Sequence, residues 1–378
     1  MESRRIIIKV GSSTLTAGTS RLSIPRIFDI TRQIIELKEG GAQVALVTSG
    51  AIAAGREAMS LAEAPRFTPG KQILAAIGQP RLMAFYDQFF RMFGQISAQV
   101  LLTREDVTDR NRYLNARGTI EGLLEGGIVP IINENDTVAT EEIRFGDNDN
   151  LSALVASLVE ADFLLLLTDQ SGLYTGDPRK DEKARLIQRV EQEEIPDEYW
   201  AAAGGSNNGI GTGGMVTKLR AADLARRAGV KVVIASGSEP DVILKTANGQ
   251  EMGTLFPPLV TKLESRKRFL LAGKRSGGTV TIDEGAALAL RKGGSLLPVG
   301  IRQVNGVFSR GATVCIVDLN GAEIALGMTN YSDIDLHQVM GRRSEEIEEI
   351  LGFTEGDETV HHNNMLLLKS ALKRQKGF

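Results

Sequence analysis

Apolar, β-rich runs recur through the first two thirds of the chain, at residues 6–10, 43–47, 128–132, 163–167 and 230–234. They are nearly continuous rather than alternating, which predicts strands covered on both faces. Between them, apolar positions at helical spacing predict helices over 22–38, 71–92, 114–124, 151–159 and 218–228. Such alternation predicts an α/β fold over residues 1–258, a doubly wound and mainly parallel sheet. The pattern changes near Phe256-Pro257-Pro258. Residues 259–275 carry six basic side chains against one acidic and read as a linker. Beyond them, short β-type runs at 279–283, 293–299, 306–309, 312–318 and 323–329 are punctuated by glycine, with helical stretches at 332–339 and 344–351. This predicts a small β-rich domain over 276–355 and a C-terminal tail over 356–378.

In open α/β sheets, ligands gather at the carboxyl ends of the strands. Here every predicted strand opens into small, polar, turn-forming residues: Gly11-Ser12-Ser13-Thr14, Thr48-Ser49-Gly50-Ala51, Asn133-Glu134-Asn135-Asp136, Thr168-Asp169-Gln170-Ser171-Gly172 and Ala235-Ser236-Gly237-Ser238. One such loop is routine, whereas five at successive strand ends suggest one built site. The strongest local signal is the glycine-rich run from Gly209 to Lys218, ahead of a helix. Glycine lets backbone N–H groups approach an anion, and a helix N-terminus adds partial positive charge. Glycines 209, 211 and 214 satisfy GxGxxG, but no strand precedes them, so the dinucleotide reading fails, and no GK[ST] of a Walker loop occurs. Phosphate binding, with Lys218 as a point charge, is favoured over a plain surface loop.

Lys9 sits near the end of the first apolar strand. Its ammonium group either snorkels to solvent or points into a site, because unpaired burial is costly. The segment Gly146-Asp147-Asn148-Asp149-Asn150 reads equally as a turn with a helix cap or as acids that hold Mg²⁺ or orient lysines. It is no EF-hand, since Leu151 and Leu158 fall on ligand positions. Together these residues suggest phosphoryl transfer from a nucleotide, with lysines and glycine-rich backbone stabilising phosphate charge.

Composition narrows this further. The 378 residues include 44 Lys plus Arg and 47 Asp plus Glu, a net charge of −3, which excludes a large uniform basic surface for nucleic acid. The three histidines are His337, His361 and His362, so residues 1–336 offer no His base, triad or His metal ligand. One cysteine, Cys315, excludes an intramolecular disulfide and fits a reducing cytosol. No apolar run approaches the roughly 18–20 residues of a membrane span. Lys9 interrupts the N-terminal apolar stretch too early for a signal peptide. A carboxylate acceptor is already anionic at neutral pH and needs no general base, which agrees with the missing histidine.

The runs Lys9–Ser13, Val47–Gly55, Asn133–Asp136, Gly146–Ala153, Leu167–Tyr174 and Gly211–Lys218, in this order, resemble the amino acid kinase family. The C-terminal region resembles a PUA domain. The resemblance implies ATP-dependent phosphorylation of the γ-carboxylate of L-glutamate to L-glutamyl 5-phosphate, the first step of L-proline biosynthesis. It implies Mg²⁺ dependence, feedback inhibition by L-proline, a homo-oligomer, a cytoplasmic location and possible coupling to glutamyl-phosphate reductase. It assigns catalysis to Lys9, Lys218 and Asp149, and substrate binding to Ser49, Gly50, Asp136 and Asn148. ATP would meet Lys9, Gly11, Thr168, Asp169, Thr212, Gly213, Gly214, Met215, Val216, Thr217 and Lys218. Metal ligands stay unassigned. Siblings acting on N-acetylglutamate or aspartate are the alternative, and Asp136 favours a free ammonium group. One departure, His361-His362 where the family usually has His-Arg, carries no catalytic meaning. PUA domains elsewhere bind RNA, but residues 276–353 hold six basic and ten acidic side chains, the wrong sign for a phosphate-driven binder.

Overall fold

The computed structural model describes residues 4–61, 63, 67–139, 148–178, 180–204, 214–265 and 275–368. The chain divides into two compact units, residues 1–109 with 115–262, and residues 110–114 with 263–378.

The first unit is built on a seven-stranded sheet in the order β3-β4-β2-β1-β5-β6-β7. The strands are β1 Arg5–Val10, β2 Gln43–Val47, β3 Ser97–Leu102, β4 Val129–Glu134, β5 Phe163–Thr168, β6 Lys231–Ser236 and β7 Thr254–Phe256. All pairings are parallel except the edge pair β6–β7. β1 lies in the middle, with Lys9 opposite Val47 on one side and Leu166 on the other. The apolar runs are buried as their continuity predicts, Phe163 to Leu167 completely. Each such side chain contributes roughly 1.5–3 kcal/mol.

The helices are α1 Ser12–Leu15, α2 Ile24–Glu39, α3 Ala51–Ala58, α4 Thr68–Met92, α5 Arg104–Thr108, α6 Arg110–Glu125, α7 Asn148–Leu158, α8 Asp197–Ala202, α9 Met215–Arg227 and α10 Val242–Ala247, of which α1, α3, α4, α7 and α9 carry or border the site. α2, α4 and α10 share one buried apolar cluster with β1, β2, β5 and β6. α7 packs on β1 and β5, and α9 packs on α7 and β6. α3 and α4 cross so closely that a Cβ on Gly55 would lie 1.9 Å from the Leu74 carbonyl oxygen, and one on Gly78 would lie 1.8 Å from that of Ala51.

The predicted strands and helices of this unit are present, each end within four residues of its expected place. Two strands were not expected, β3 and β7. β3 is an edge strand in which Leu102 alone is buried, so it lacks the continuous apolar signature. β7 is three residues long.

The second unit contains a five-stranded sheet of order β12-β11-β10-β8-β9, made of β8 Arg275–Ile282, β9 Ile301–Asn305, β10 Thr313–Val317, β11 Glu323–Met328 and β12 Met365–Leu367. It has its own apolar core, including Val280, Ile316, Leu326's neighbour Ala325, Tyr331 and Leu336. The runs at 279–283, 312–318 and 323–329 are strands. The runs at 293–299 and 306–309 are not. The first holds an isolated bridge at Leu296 and turns into a 3₁₀ segment, Pro298–Gly300, while the second is a loop. The expected helices are Asp333–Val339 and, after a 3₁₀ turn at Ser344–Glu346, Ile347–Leu351. A further helix, Glu284–Arg291, is capped by Asp283, which accepts from the Ala286 N–H. Among the described residues no helix is long and apolar enough to cross a membrane.

Candidate active site

The carboxyl ends of β1, β2, β4, β5 and β6 bring the expected residues onto one edge of the sheet. Lys9, on central β1, is only 4 % exposed and points to the start of α7. There its Nζ lies 2.5 Å from Asp149 Oδ1. Lys218 approaches the other oxygen from α9, with Nζ 3.2 Å from Oδ2. Thr217 also donates to Oδ2, at 2.6 Å. Burial pushes the Asp149 carboxyl up, but the charges of Lys9 and Lys218 and the hydrogen bonds from Lys9 and Thr217 outweigh it and hold it at about 2. The carboxylate therefore stays ionised and fixes two long cations at one point.

Gly11 follows β1 directly, and a Cβ there would lie 3.6 Å from Lys9 Nζ. Thr168 is buried at the end of β5 and donates to Asp169 Oδ1 at 3.0 Å. Its carbonyl accepts from the Gly237 N–H at 2.8 Å. A Cβ on Gly237 would lie 2.4 Å from Thr14 Cγ2, so the loops after β1 and β6 touch. Gly214 caps α9, whose first turn holds Met215, Val216, Thr217 and Lys218. Thr212 and Gly213 lie outside the described residues.

A second knot forms between β2, β4 and α7. Asn148, the first residue of α7, donates through Nδ2 toward the Thr48 carbonyl at 2.9 Å, Ser49 Oγ at 3.0 Å and Asn133 Oδ1 at 3.0 Å. Gly50 adopts φ +99°, a left-handed conformation that suits glycine, and caps α3, so the α3 N–H groups begin beside Ser49. Asp136 follows three residues beyond Asn133 and lines a pocket of about 310 Å³ with Glu134, Asn135, Gln79 and Gln99. Burial pushes the Asp136 carboxyl up to about 6.

The structure brings Lys9, Asp149 and Lys218 into one cluster and Ser49 and Asn148 into a second, joined through the neighbouring residues Asn148 and Asp149. Sequence reasoning did not single out Asn133 as a hub, although its place at a strand end was a usable signal. It missed Thr217 as a partner of Asp149, Thr48, whose Oγ1 meets Tyr86 Oη at 2.9 Å, and Gln79.

The amino acid kinase family model matches residues 4–236, and the PUA domain model matches residues 278–351. The chain belongs to the amino acid kinase family. It is 50% identical over 368 residues to a glutamate 5-kinase of Aliivibrio salmonicida, covering 97% of this chain and 99% of that protein. A glutamate 5-kinase of Shewanella halifaxensis is 50% identical over 97% of this chain and 98% of its own length. One from Dehalococcoides mccartyi is 48% identical over 97% of this chain and 98% of its own. Among solved structures, a UMP kinase from Bacillus anthracis aligns with a TM-score of 0.46 at 15% identity, covering 68% of this chain and 97% of that one.

Proposed function

We infer that this chain is a glutamate 5-kinase: it transfers the terminal phosphoryl group of ATP to the γ-carboxylate of L-glutamate, giving L-glutamyl 5-phosphate and ADP, the first step of L-proline biosynthesis. The observation that carries the reading is the meeting of Lys9 and Lys218 on Asp149 beside the Asn148–Ser49 knot, at the strand ends of a chain similar throughout its length to glutamate 5-kinases.

A γ-carboxylate oxygen attacks the terminal phosphorus, that P–O bond forms, and the bond to the departing ADP oxygen breaks. No proton need move, since the acceptor is ionised at neutral pH. Positioning and charge stabilisation then dominate. Lys9 and Lys218 stabilise the transferring group, and Asp149 orients both ammonium groups. Ser49, Gly50, Asp136 and Asn148 hold glutamate, with Asp136 facing the α-ammonium. Gly11, Thr168, Asp169 and the run from Thr212 to Lys218 line the ATP site.

Mg²⁺ keeps several waters and is bound through one or two carboxylates plus substrate phosphates rather than by an all-protein cage. Among the described residues no group of three or more His, Cys, Asp or Glu forms such a cage, and the lone carboxylate of Asp169 at the ATP end suits an ion arriving with the nucleotide. It would neutralise phosphate charge there.

The same reading gives a kinase domain over 1–258, a linker, a PUA-like domain over 276–355 and a tail. It includes feedback inhibition by proline, a cytoplasmic homo-oligomer, and coupling to glutamyl-phosphate reductase, which suits a labile acyl phosphate. The test is ADP release with Mg²⁺-ATP and L-glutamate, N-acetyl-L-glutamate or L-aspartate, with hydroxylamine trapping any acyl phosphate. Hydroxamate from L-glutamate alone, suppressed by L-proline, is expected. Another preferred acceptor would overturn the roles of Ser49, Asp136 and Asn148. Lys218→Ala should lower kcat by roughly a hundredfold or more with little change in glutamate KM; a large KM effect at unchanged kcat would refute its role.

A further inference from the structure

The carboxamide of Asn148 belongs to a longer chain of amides. The Glu134 backbone N–H donates to Asn133 Oδ1 at 2.9 Å, and a backbone N–H can only donate. The Thr48 carbonyl takes its hydrogen bond from Asn148 Nδ2, and a carbonyl can only accept. These two fixed groups set the polarity of everything between and beyond. Asn133 must turn its Nδ2 outward, where it donates to Gln79 Oε1 at 2.8 Å. Gln79 Nε2 in turn donates to Gln99 Oε1 at 3.2 Å on edge strand β3. At the other end, Asn148 must turn its Oδ1 away from Asn133 and Thr48. That oxygen is buried on a residue 4% exposed and has no hydrogen-bond partner among the described residues.

A buried carbonyl without a donor is costly and rare, and a bound ligand can supply the donor. A carboxylate offers only acceptors, whereas an ammonium group offers only donors. Oδ1 therefore matches the ammonium end of an amino acid and not its carboxylates. Resting on the glutamate reading above, we propose that Gln79 is a positioning residue for substrate recognition: it accepts from Asn133 Nδ2, adds a side-chain anchor to the polarity that the Glu134 N–H and Thr48 carbonyl impose, and so steadies Asn133 against Asn148, whose Oδ1 faces the α-ammonium group of the substrate. Gln79 touches no reacting atom. It acts from α4 through Asn133.

The polarity can be tested without removing any residue of the binding machinery. Gln79→Glu keeps an acceptor for Asn133 Nδ2, whereas Gln79→Met deletes it and leaves Asn133 held through its Oδ1 alone. Steady-state kinetics are measured for the full chain, with glutarate as a competitive inhibitor. Glutarate has both carboxylates and no ammonium group. In Gln79→Met, glutamate KM should rise about tenfold, while kcat, ATP KM and the glutarate inhibition constant stay within about twofold. Gln79→Glu should behave as wild type. Thermal melts accompany each variant; should Gln79→Met not fold, Gln79→Lys, which sets donors against Asn133 Nδ2, should give the same split. An unchanged glutamate KM in the acceptor-less variant, or equal weakening of glutamate and glutarate, overturns the proposal. Wild-type protein that forms no hydroxamate from glutamate overturns the glutamate reading, and this inference with it; active wild type isolates the inference.

Discussion

Two carboxylates in this site are pushed in opposite directions, and the difference decides which one responds to pH. Asp149 is buried beside two ammonium groups and sits at about 2, below its ordinary value. A depressed carboxyl lends stability above its unfolded value, and that stability is lost as pH falls through the folded value. This change therefore lies between about 4 and 2, outside any range where the kinase is assayed. Asp136 has burial without a cation and sits at about 6. In the free protein it is neutral below that pH and ionised above it, and only the ionised form pairs with an ammonium group. Glutamate KM should accordingly fall as pH rises through about 6, and Asp136→Asn should raise KM and remove that dependence. A pH profile of kcat/KM with glutamate checks both. A wild-type profile flat across that range would refute the pairing.

The elements show why the site was only partly legible in the sequence. Lys9 and the polar turn Gly146–Asn150 stood out because strand ends and polar turns mark the working edge of a parallel sheet, while the separate roles of Asn148 and Asp149 came from the family resemblance. Gln79 did not stand out, because a polar residue within α4 looks like any solvated helix position until Asn133 is brought against it. β3 escaped for a related reason: an edge strand has one side without neighbours and mixes exposed with buried positions. The short helix Glu284–Arg291 was hidden by its Gly and Ala content among β-type runs. The crossing of α3 and α4 was equally invisible, since it depends on two glycines 23 positions apart meeting carbonyl oxygens of the other helix. Gly55→Ala would drive a methyl group to 1.9 Å from the Leu74 carbonyl oxygen, so a helix must move. The cost is about 1–3 kcal/mol, a melting-point drop of about 2–4 °C for each kcal/mol. Because α3 begins at Gly50, beside Ser49, glutamate KM should rise as well. An unchanged melting point would show that the crossing yields without strain.

Across the whole molecule, every described residue assigned to chemistry lies in the first unit, and each unit holds an apolar core of its own. The β-rich unit thus has no evident part in phosphoryl transfer. Its acidic balance over residues 276–353 also argues against phosphate-driven RNA binding, since such affinity comes from cations that release counterions. We propose regulation or assembly as the role of this separate, self-cored unit. Removing residues 277–378 should therefore leave glutamate-dependent hydroxamate formation measurable while changing either proline sensitivity or oligomer size. Turnover, inhibition by proline and mass in solution, measured on the same truncated protein, separate these outcomes. Loss of all turnover from a truncated protein that still melts cooperatively would place a catalytic contribution in the second unit. Salt-sensitive binding of structured RNA by the full chain would instead show that the basic residues of 259–275 override the acidic balance of the domain that follows.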